Sequence, residues 1–145
     1  MQSSSSSPAS RALVAARPHV FLAEDDHDLR PLFLAGLLRA GHQVTAAADG
    51  REILAFLSAA SRGLLPRPDV VVMDVRMPHL TGLEVLHFLA DMAYGVPVIL
   101  VTGFGDVATR ARAYALGAFE ILDKPVSCAR IVASIEGALR GLPRR

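Results

Sequence analysis

Five polar residues directly follow short apolar runs, and their side chains could together do chemistry: Glu24, Asp25, Asp74, Thr102 and Lys124. Three carboxylates about 4 Å apart repel one another by roughly 4 kcal/mol per pair at an effective dielectric of about 20, so a cation must offset them. Hard oxygen ligands suit Mg²⁺, while a hydroxyl and an ammonium suit phosphoryl oxygens. This set predicts a site that forms an aspartyl phosphate, mainly by positioning and charge neutralisation.

Each residue also has an ordinary interpretation. Acidic residues at 24–26 stabilise a helix N-terminus, Asp74 could be a loop acid, Thr102 could lie in a turn, and Lys124 could lie at a surface corner. The coincidence of all of them at strand ends favours a shared site. Lys124 adds to this argument because it is the only lysine among fifteen Lys and Arg residues.

Strands and helices are predicted to alternate along the chain. The apolar runs predict strands at 20–23, 43–47, 70–73, 98–101 and 118–122, and the three-to-four spacing of apolar residues predicts helices at 29–40, 50–57, 82–92 and 107–116. Ser127 is expected to cap a last helix that extends to Leu139. Strands that are apolar throughout indicate an α/β fold with a parallel sheet between helix layers. In such a sheet the carboxyl ends of the strands share one edge, where ligands bind.

Composition sets further bounds on function. The net charge of +1 gives no electrostatic reason to expect direct binding to nucleic acid or to an anionic membrane. No apolar run is long enough to span a bilayer, and Cys128, as the only cysteine, cannot form an internal disulfide. We therefore expect a cytoplasmic protein without membrane association.

The predicted domain occupies residues 19–141. Residues 1–18 contain a run of five serines, scattered arginines and no acidic residue, which is typical of a disordered tail. The same composition also matches an organelle transit peptide, and this alternative remains open. Residues 142–145 are expected to form a short C-terminal tail.

From about residue 19 to 140, the chain resembles the receiver domain of two-component response regulators, the CheY-like superfamily. The resemblance lies in the acidic residues after the first strand, in the segment 68–74 followed by Met77-Pro78, in 97–103, and in Lys124-Pro125. It implies a (βα)5 flavodoxin-like fold. This fold has three layers around a doubly wound, five-stranded parallel sheet with strand order 2-1-3-4-5.

The resemblance also implies a role for each site residue. Asp74 accepts the phosphoryl group from a histidine kinase or a histidine phosphotransfer protein. Asp25, Asp74 and the backbone carbonyl of Arg76 bind Mg²⁺ directly, and Glu24 binds it through water. Thr102 and Lys124 contact phosphoryl oxygens.

Further implications concern regulation. The family typically has a cis peptide bond before the proline at position 125. Phosphorylation alters the face formed by the fourth helix, the fifth strand and the fifth helix, which binds a downstream protein or an output domain, or forms a homodimer. The domain is a phosphoacceptor that assists its own phosphorylation and dephosphorylation, and it is not an enzyme in the ordinary sense.

Two departures from the family pattern carry expectations of their own. Ile121 occupies the position where the family usually has tyrosine or phenylalanine as a switch residue, so we expect a smaller conformational response. Arg76 and Phe104, two residues beyond Asp74 and Thr102, flank the route of the attacking water and predict slow loss of phosphate.

Three alternatives remain. The first is a pseudo-receiver, a protein-interaction module with this fold that is never phosphorylated. The second is a small flavodoxin-like enzyme or nucleotide binder, although the first strand–helix turn is acidic and lacks a glycine-rich phosphate loop. The third is a receiver fragment of a longer DNA-binding regulator, because residues 102–107 resemble regulators with DNA-binding or ATPase outputs.

Overall fold

Strands and helices alternate strictly in the computed structural model, which describes residues 17–103 and 105–141. The elements in chain order are β1 (His19–Ala23), α1 (Leu29–Arg39), β2 (Gln43–Ala47), α2 (Gly50–Ser61), β3 (Val70–Asp74), α3 (Gly82–Asp91), β4 (Val98–Thr102), α4 (Val107–Ala115), β5 (Glu120–Asp123) and α5 (Cys128–Leu139). Most of the N-terminal segment 1–18, the C-terminal segment 142–145 and Phe104, all of which carry expectations above, lie outside the described residues.

The five strands form one parallel sheet in the order β2-β1-β3-β4-β5. One face packs against α2, α3 and α4, and the other against α1 and α5. The predicted fold class and strand order are therefore confirmed.

Burial on both faces explains why the central strands are apolar throughout. In β3, Val71 and Met73 face the α2–α4 side, whereas Val70 and Val72 face the α1–α5 side, and all are at most 1% exposed. β2 lies at an edge of the sheet and begins with the exposed Gln43, which accounts for its weaker sequence pattern.

The last strand begins two residues later than the apolar run predicts. Gly117 has a φ of 99°, and the amide of Ala118 donates to the carbonyl of Ala113, so this segment still terminates α4. The strand instead begins at the charged residue Glu120, which is only 6% exposed. Its carboxylate accepts a hydrogen bond from Ser134 Oγ at 2.6 Å and forms an ion pair with Arg130. A charged residue can therefore lie within this strand because α5 supplies its partners.

Helix caps fix where several helices begin. Ser127 Oγ accepts a hydrogen bond from the amide of Arg130, as predicted from the sequence. At the start of α3, Thr81 and Glu84 form a reciprocal capping box. Since α3 follows the loop after Asp74, this box also anchors the end of that loop.

Close backbone packing holds the segment that follows Asp74. A Cβ atom on Gly82 would lie 2.5 Å from the carbonyl oxygen of Asp74 and 3.0 Å from the Cα of Val75. The Gly82 amide donates to the carbonyl of Val75 at 2.8 Å. Only glycine permits this approach, so the loop is held directly against the end of β3.

Within the described part of the chain, none of the helices is both long enough and apolar enough to cross a membrane.

Replacing Gly82 with alanine is expected to lower the free energy of unfolding by about 1–3 kcal/mol, the usual cost of overpacking. The added methyl group has no space beside the Asp74 carbonyl. Urea denaturation of the wild type and of Gly82→Ala measures the loss. Gly103→Ala is the matched control, because a Cβ at Gly103 lies within 4 Å of no atom of the described structure beyond its chain neighbours. Equal stability of the two variants would contradict the packing argument.

Candidate functional site

Three carboxyl groups meet at the carboxyl edge of the sheet. Oxygen atoms of Glu24, Asp25 and Asp74 all lie within 4.8 Å of one another. They lie close together because β1 and β3 are neighbours with Ala23 beside Met73, so the residues that follow Ala23 and Met73 share one edge. Glu24 is 2% exposed and Asp74 is 5% exposed, whereas Asp25 is half-buried.

The ammonium group of Lys124 lies between two of these carboxyl groups. Its Nζ is 2.6 Å from Asp74 Oδ2 and 3.2 Å from Glu24 Oε1. The Lys124 backbone amide donates to the carbonyl of Thr102 at 2.8 Å, and the Lys124–Pro125 peptide bond is cis. A side chain from the edge strand thus reaches across β4 to the centre of the site.

Thr102 occupies the position between these charged groups along the sheet edge. It ends β4, which lies between β3 and β5, and it is 1% exposed. Asp74 pairs with Val101 in the register of β3 and β4, and Thr102 pairs with Asp123, the residue before Lys124. The structure therefore brings all five polar residues singled out in the sequence to one edge.

Backbone contacts hold the turn that carries Glu24. The Glu24 amide donates to the carbonyl of Ala47 at 3.1 Å, and its carbonyl accepts from Arg30 Nη1 at 2.8 Å. Sequence reasoning did not predict the Arg30 contact. The only signal was an arginine in the first turn of the helix after an acidic loop, and that pattern does not distinguish an arginine bonded to the loop from an exposed charge.

Burial dominates the electrostatics of Glu24. It raises the pKa of this carboxyl to about 7, and the charge of Asp74 adds to the effect, whereas the amide of Asp26 and the ammonium of Lys124 oppose it. A carboxyl with this pKa is about half-protonated at neutral pH. A further cation at the site would favour its ionised form.

The pKa of Lys124 is also raised, but the cause is its contact with carboxylates and not burial. Burial alone would lower the pKa of its ammonium, but the hydrogen bond and charge of Asp74, together with those of Glu24, outweigh burial and raise this pKa. Lys124 therefore stays a cation, and its charge is directed at the carboxylates.

The donor set fits Mg²⁺. Glu24, Asp25 and Asp74 supply hard oxygen atoms close together, and one ammonium does not balance three carboxyl groups when all are ionised. The turn after Asp74 brings Arg76 close as well, because the Arg76 amide donates to Asp74 Oδ1 at 3.2 Å. The backbone of Arg76 is thus beside the acidic cluster, where the resemblance requires its carbonyl.

Ile121, at the family's switch position, is 6% exposed and packs in the core cluster beneath α2, α3 and α4. Arg76 is exposed. The expectation of slow phosphate loss that rests on Arg76 stays a prediction, and its second residue, Phe104, lies outside the described part of the chain.

Comparison with known proteins identifies the family of this chain. The sequence model of the response regulator receiver domain matches residues 20–136. The C4-dicarboxylate transport transcriptional regulatory protein DctD of Rhizobium meliloti is 37% identical over 125 residues, which cover 86% of this chain and 26% of that protein. The transcriptional regulatory protein FixJ of Bradyrhizobium diazoefficiens is 35% identical over 127 residues, covering 88% and 59%. The chain therefore spans less than two thirds of the length of these relatives.

Solved structures of similar proteins superpose on this chain. A receiver domain protein of Clostridium thermocellum superposes with a TM-score of 0.77 at 27% identity, covering 86% of this chain and 95% of that one. The structure of FixJ-N superposes with a TM-score of 0.73 at 30% identity, covering 88% and 98%.

Replacing Lys124 with methionine is expected to lower the free energy of unfolding by about 1–3 kcal/mol in the presence of a chelator. Methionine keeps the bulk of the stem but leaves the buried carboxyl groups of Glu24 and Asp74 without their ammonium partner. Urea denaturation in EDTA measures the change. Arg39→Met, which removes an exposed cation from α1, serves as the control. Equal effects of the two substitutions would contradict a specific role for Lys124.

Proposed function

Since the chain belongs to the response regulator receiver domain family, we propose that it is a phosphorylation-dependent switch that accepts a phosphoryl group on Asp74. The observation that carries this proposal is the position of the Asp74 carboxylate. It lies at the end of the central strand β3, within 4.8 Å of two further carboxyl groups and 2.6 Å from the ammonium of Lys124.

Transfer consists of one bond formed and one broken. A carboxylate oxygen of Asp74 attacks the phosphorus of a phosphohistidine on a histidine kinase or histidine phosphotransfer protein. The O–P bond forms as the N–P bond breaks, and the donor histidine leaves with the electron pair of that bond. The negative charge of the transferred group is then offset by groups that are already in place, so catalysis is largely positioning.

Two of these groups are the side chains of Lys124 and Thr102. Lys124 contacts Asp74 before transfer, and its ammonium can then contact a phosphoryl oxygen with little movement. The hydroxyl of Thr102 donates to a second phosphoryl oxygen. Because these groups come from strands fixed in the sheet, little reorganisation accompanies the reaction.

Mg²⁺ is the cofactor that we assign to the three carboxyl groups. Asp25, Asp74 and the carbonyl of Arg76 would hold it directly, and Glu24 through water. When bound, it supplies the charge neutralisation that lets an anionic phosphoryl group approach an acidic pocket. The domain uses its own side chain as the acceptor, so it assists its phosphorylation and dephosphorylation without being an enzyme in the ordinary sense.

We assign the output to a protein partner. The relatives are transcriptional regulators of which this chain matches only a part, so an output domain or a separate downstream protein reads the face of α4, β5 and α5. The alternative output is formation of a homodimer through the same face. The chain itself binds neither nucleic acid nor membrane in this proposal, and the kinase partnership places it in the cytoplasm.

Labelling with acetyl phosphate or beryllofluoride is expected to modify the wild type only when Mg²⁺ is present. Asp74→Asn is expected to abolish the modification, because an amide cannot act as the acceptor. Intact-protein mass spectrometry detects the phosphoryl group, and ¹⁹F NMR detects bound beryllofluoride.

The matched control for this experiment is Asp91→Asn, which removes an exposed carboxylate from α3, at a distance from the sheet edge. This variant should be modified like the wild type. Absence of modification in the wild type would overturn the proposal in favour of a pseudo-receiver.

The response of α4 to beryllofluoride is expected to be smaller than in receiver domains with tyrosine or phenylalanine at the position of Ile121. Ile121 is already packed in the core and has no hydroxyl or ring to exchange between two environments. Amide chemical-shift changes along Val107–Ala115 measure the response. Changes as large as those of an aromatic-bearing receiver domain would contradict the expectation.

A further inference from the structure

The turn between β1 and α1 carries two of the three candidate magnesium ligands, Glu24 and Asp25. Glu24 is held by β2 through the Ala47 carbonyl and by α1 through Arg30. Asp25 is only half-buried, and within residues 17–103 and 105–141 no ion pair comparable to that of Lys124 with Asp74 holds its carboxylate. The position of Asp25 therefore depends on the conformation of the turn itself.

Asp26 makes the contacts that define this turn. Its Oδ1 accepts hydrogen bonds from the amides of Asp28 at 2.8 Å and Leu29 at 3.0 Å. Its carbonyl accepts from the amide of Arg30 at 3.0 Å, which begins the helical bonding. Its own amide donates to Glu24 Oε2 at 3.1 Å. One residue thus connects the Glu24 carboxyl group to the first turn of α1.

Neighbouring Asp28 offers a clear contrast. It immediately precedes α1, yet its side chain makes no capping hydrogen bond. The two aspartates are both exposed and lie in the same turn. They differ in whether the carboxylate is bonded to backbone amides.

We propose that Asp26 is a positioning residue for the magnesium site. Its carboxylate fixes the turn so that Glu24 and Asp25 remain within 4.8 Å of Asp74. It is not itself a ligand, since the group of mutually close oxygen atoms comprises Glu24, Asp25 and Asp74, and Asp26 Oδ1 faces the helix amides. The inference rests on the proposed function, because it deepens the account of the same cation site.

Preorganisation is the physical basis of this role. A cation binds more tightly when its ligands are already close, because less conformational freedom is lost on binding. The negative charge of Asp26 also acts on a bound cation, because Asp26 contacts Glu24 and so lies within the screening length of about 10 Å at 0.1 M ionic strength. The contribution of its hydrogen bonds is therefore measured between two substitutions that remove the same charge, one with and one without an acceptor oxygen.

The test compares Mg²⁺ binding by isothermal titration calorimetry for the full chain and for Asp26→Ala, Asp26→Asn and Asp28→Ala. All three substitutions remove one negative charge. Only Asp26→Ala removes the acceptor oxygen as well, since asparagine retains Oδ1 and can accept the same two amide hydrogen bonds. Asp26→Gly is a second variant without an acceptor.

Asp26→Ala and Asp26→Gly are expected to bind Mg²⁺ about tenfold more weakly than Asp26→Asn, as is usual when a residue that orients metal ligands is removed. Asp28→Ala removes a charge but no capping acceptor, so its Mg²⁺ affinity should stay close to that of Asp26→Asn. The initial rate of phosphorylation by acetyl phosphate should fall in Asp26→Ala at limiting Mg²⁺ and recover at saturating Mg²⁺. A purely structural role would lower the rate equally at both concentrations.

Equal Mg²⁺ affinity of Asp26→Ala and Asp26→Asn would overturn the positioning role and leave the function of Asp74 intact. A phosphorylation rate that does not recover at saturating Mg²⁺ would likewise overturn it. If the wild type bound no Mg²⁺ and was not modified at Asp74, the proposed function would fail, and this inference with it.

Discussion

Lys124 and the two buried carboxyl groups beside it form the interaction on which the site depends. Glu24 and Asp74 are brought together by adjacent parallel strands and are almost fully buried. Burial disfavours an ionised carboxyl group, and it raises the pKa of Glu24 to about 7. The ammonium of Lys124 contacts both groups and offsets their negative charge.

The sheet geometry makes this interaction specific. β3 lies at the centre of the sheet with every residue buried, so Asp74 has little freedom to move. β4 separates it from the strand that delivers Lys124, and the hydrogen bond from the Lys124 amide to Thr102 fixes where that side chain begins. Gly82 removes the remaining freedom by holding the following loop against the Asp74 carbonyl. Rigid backbone therefore does most of the positioning.

The sequence predicted those features that depend on periodicity and on the ends of strands. The uninterrupted apolar strands indicated a parallel sheet, and the polar residues after them indicated a shared edge, which the structure confirms. The start of β5 was predicted wrongly because Glu120 is buried through partners on α5 that no local pattern reveals. The contacts of Arg30 and Asp26 could not be predicted either, since an exposed charge and a turn-forming charge have the same local sequence signal.

The choice between lysine and arginine at position 124 follows from the same geometry. Elsewhere in the described structure, the arginines that pair with carboxylates have more exposed side chains, 32% for Arg110 beside Asp123 and 40% for Arg130 beside Glu120. At the sheet edge the cation must contact Asp74 and Glu24 at 2.6 and 3.2 Å from a side chain that is only 23% exposed. A compact ammonium meets both contacts from one atom, whereas a guanidinium favours a bidentate approach to a single carboxylate. An ammonium can also exchange a carboxylate for a phosphoryl oxygen by rotating its donors. The single lysine in an arginine-rich chain is therefore explained by the space at this edge and by the exchange that the proposed phosphoryl transfer to Asp74 would require.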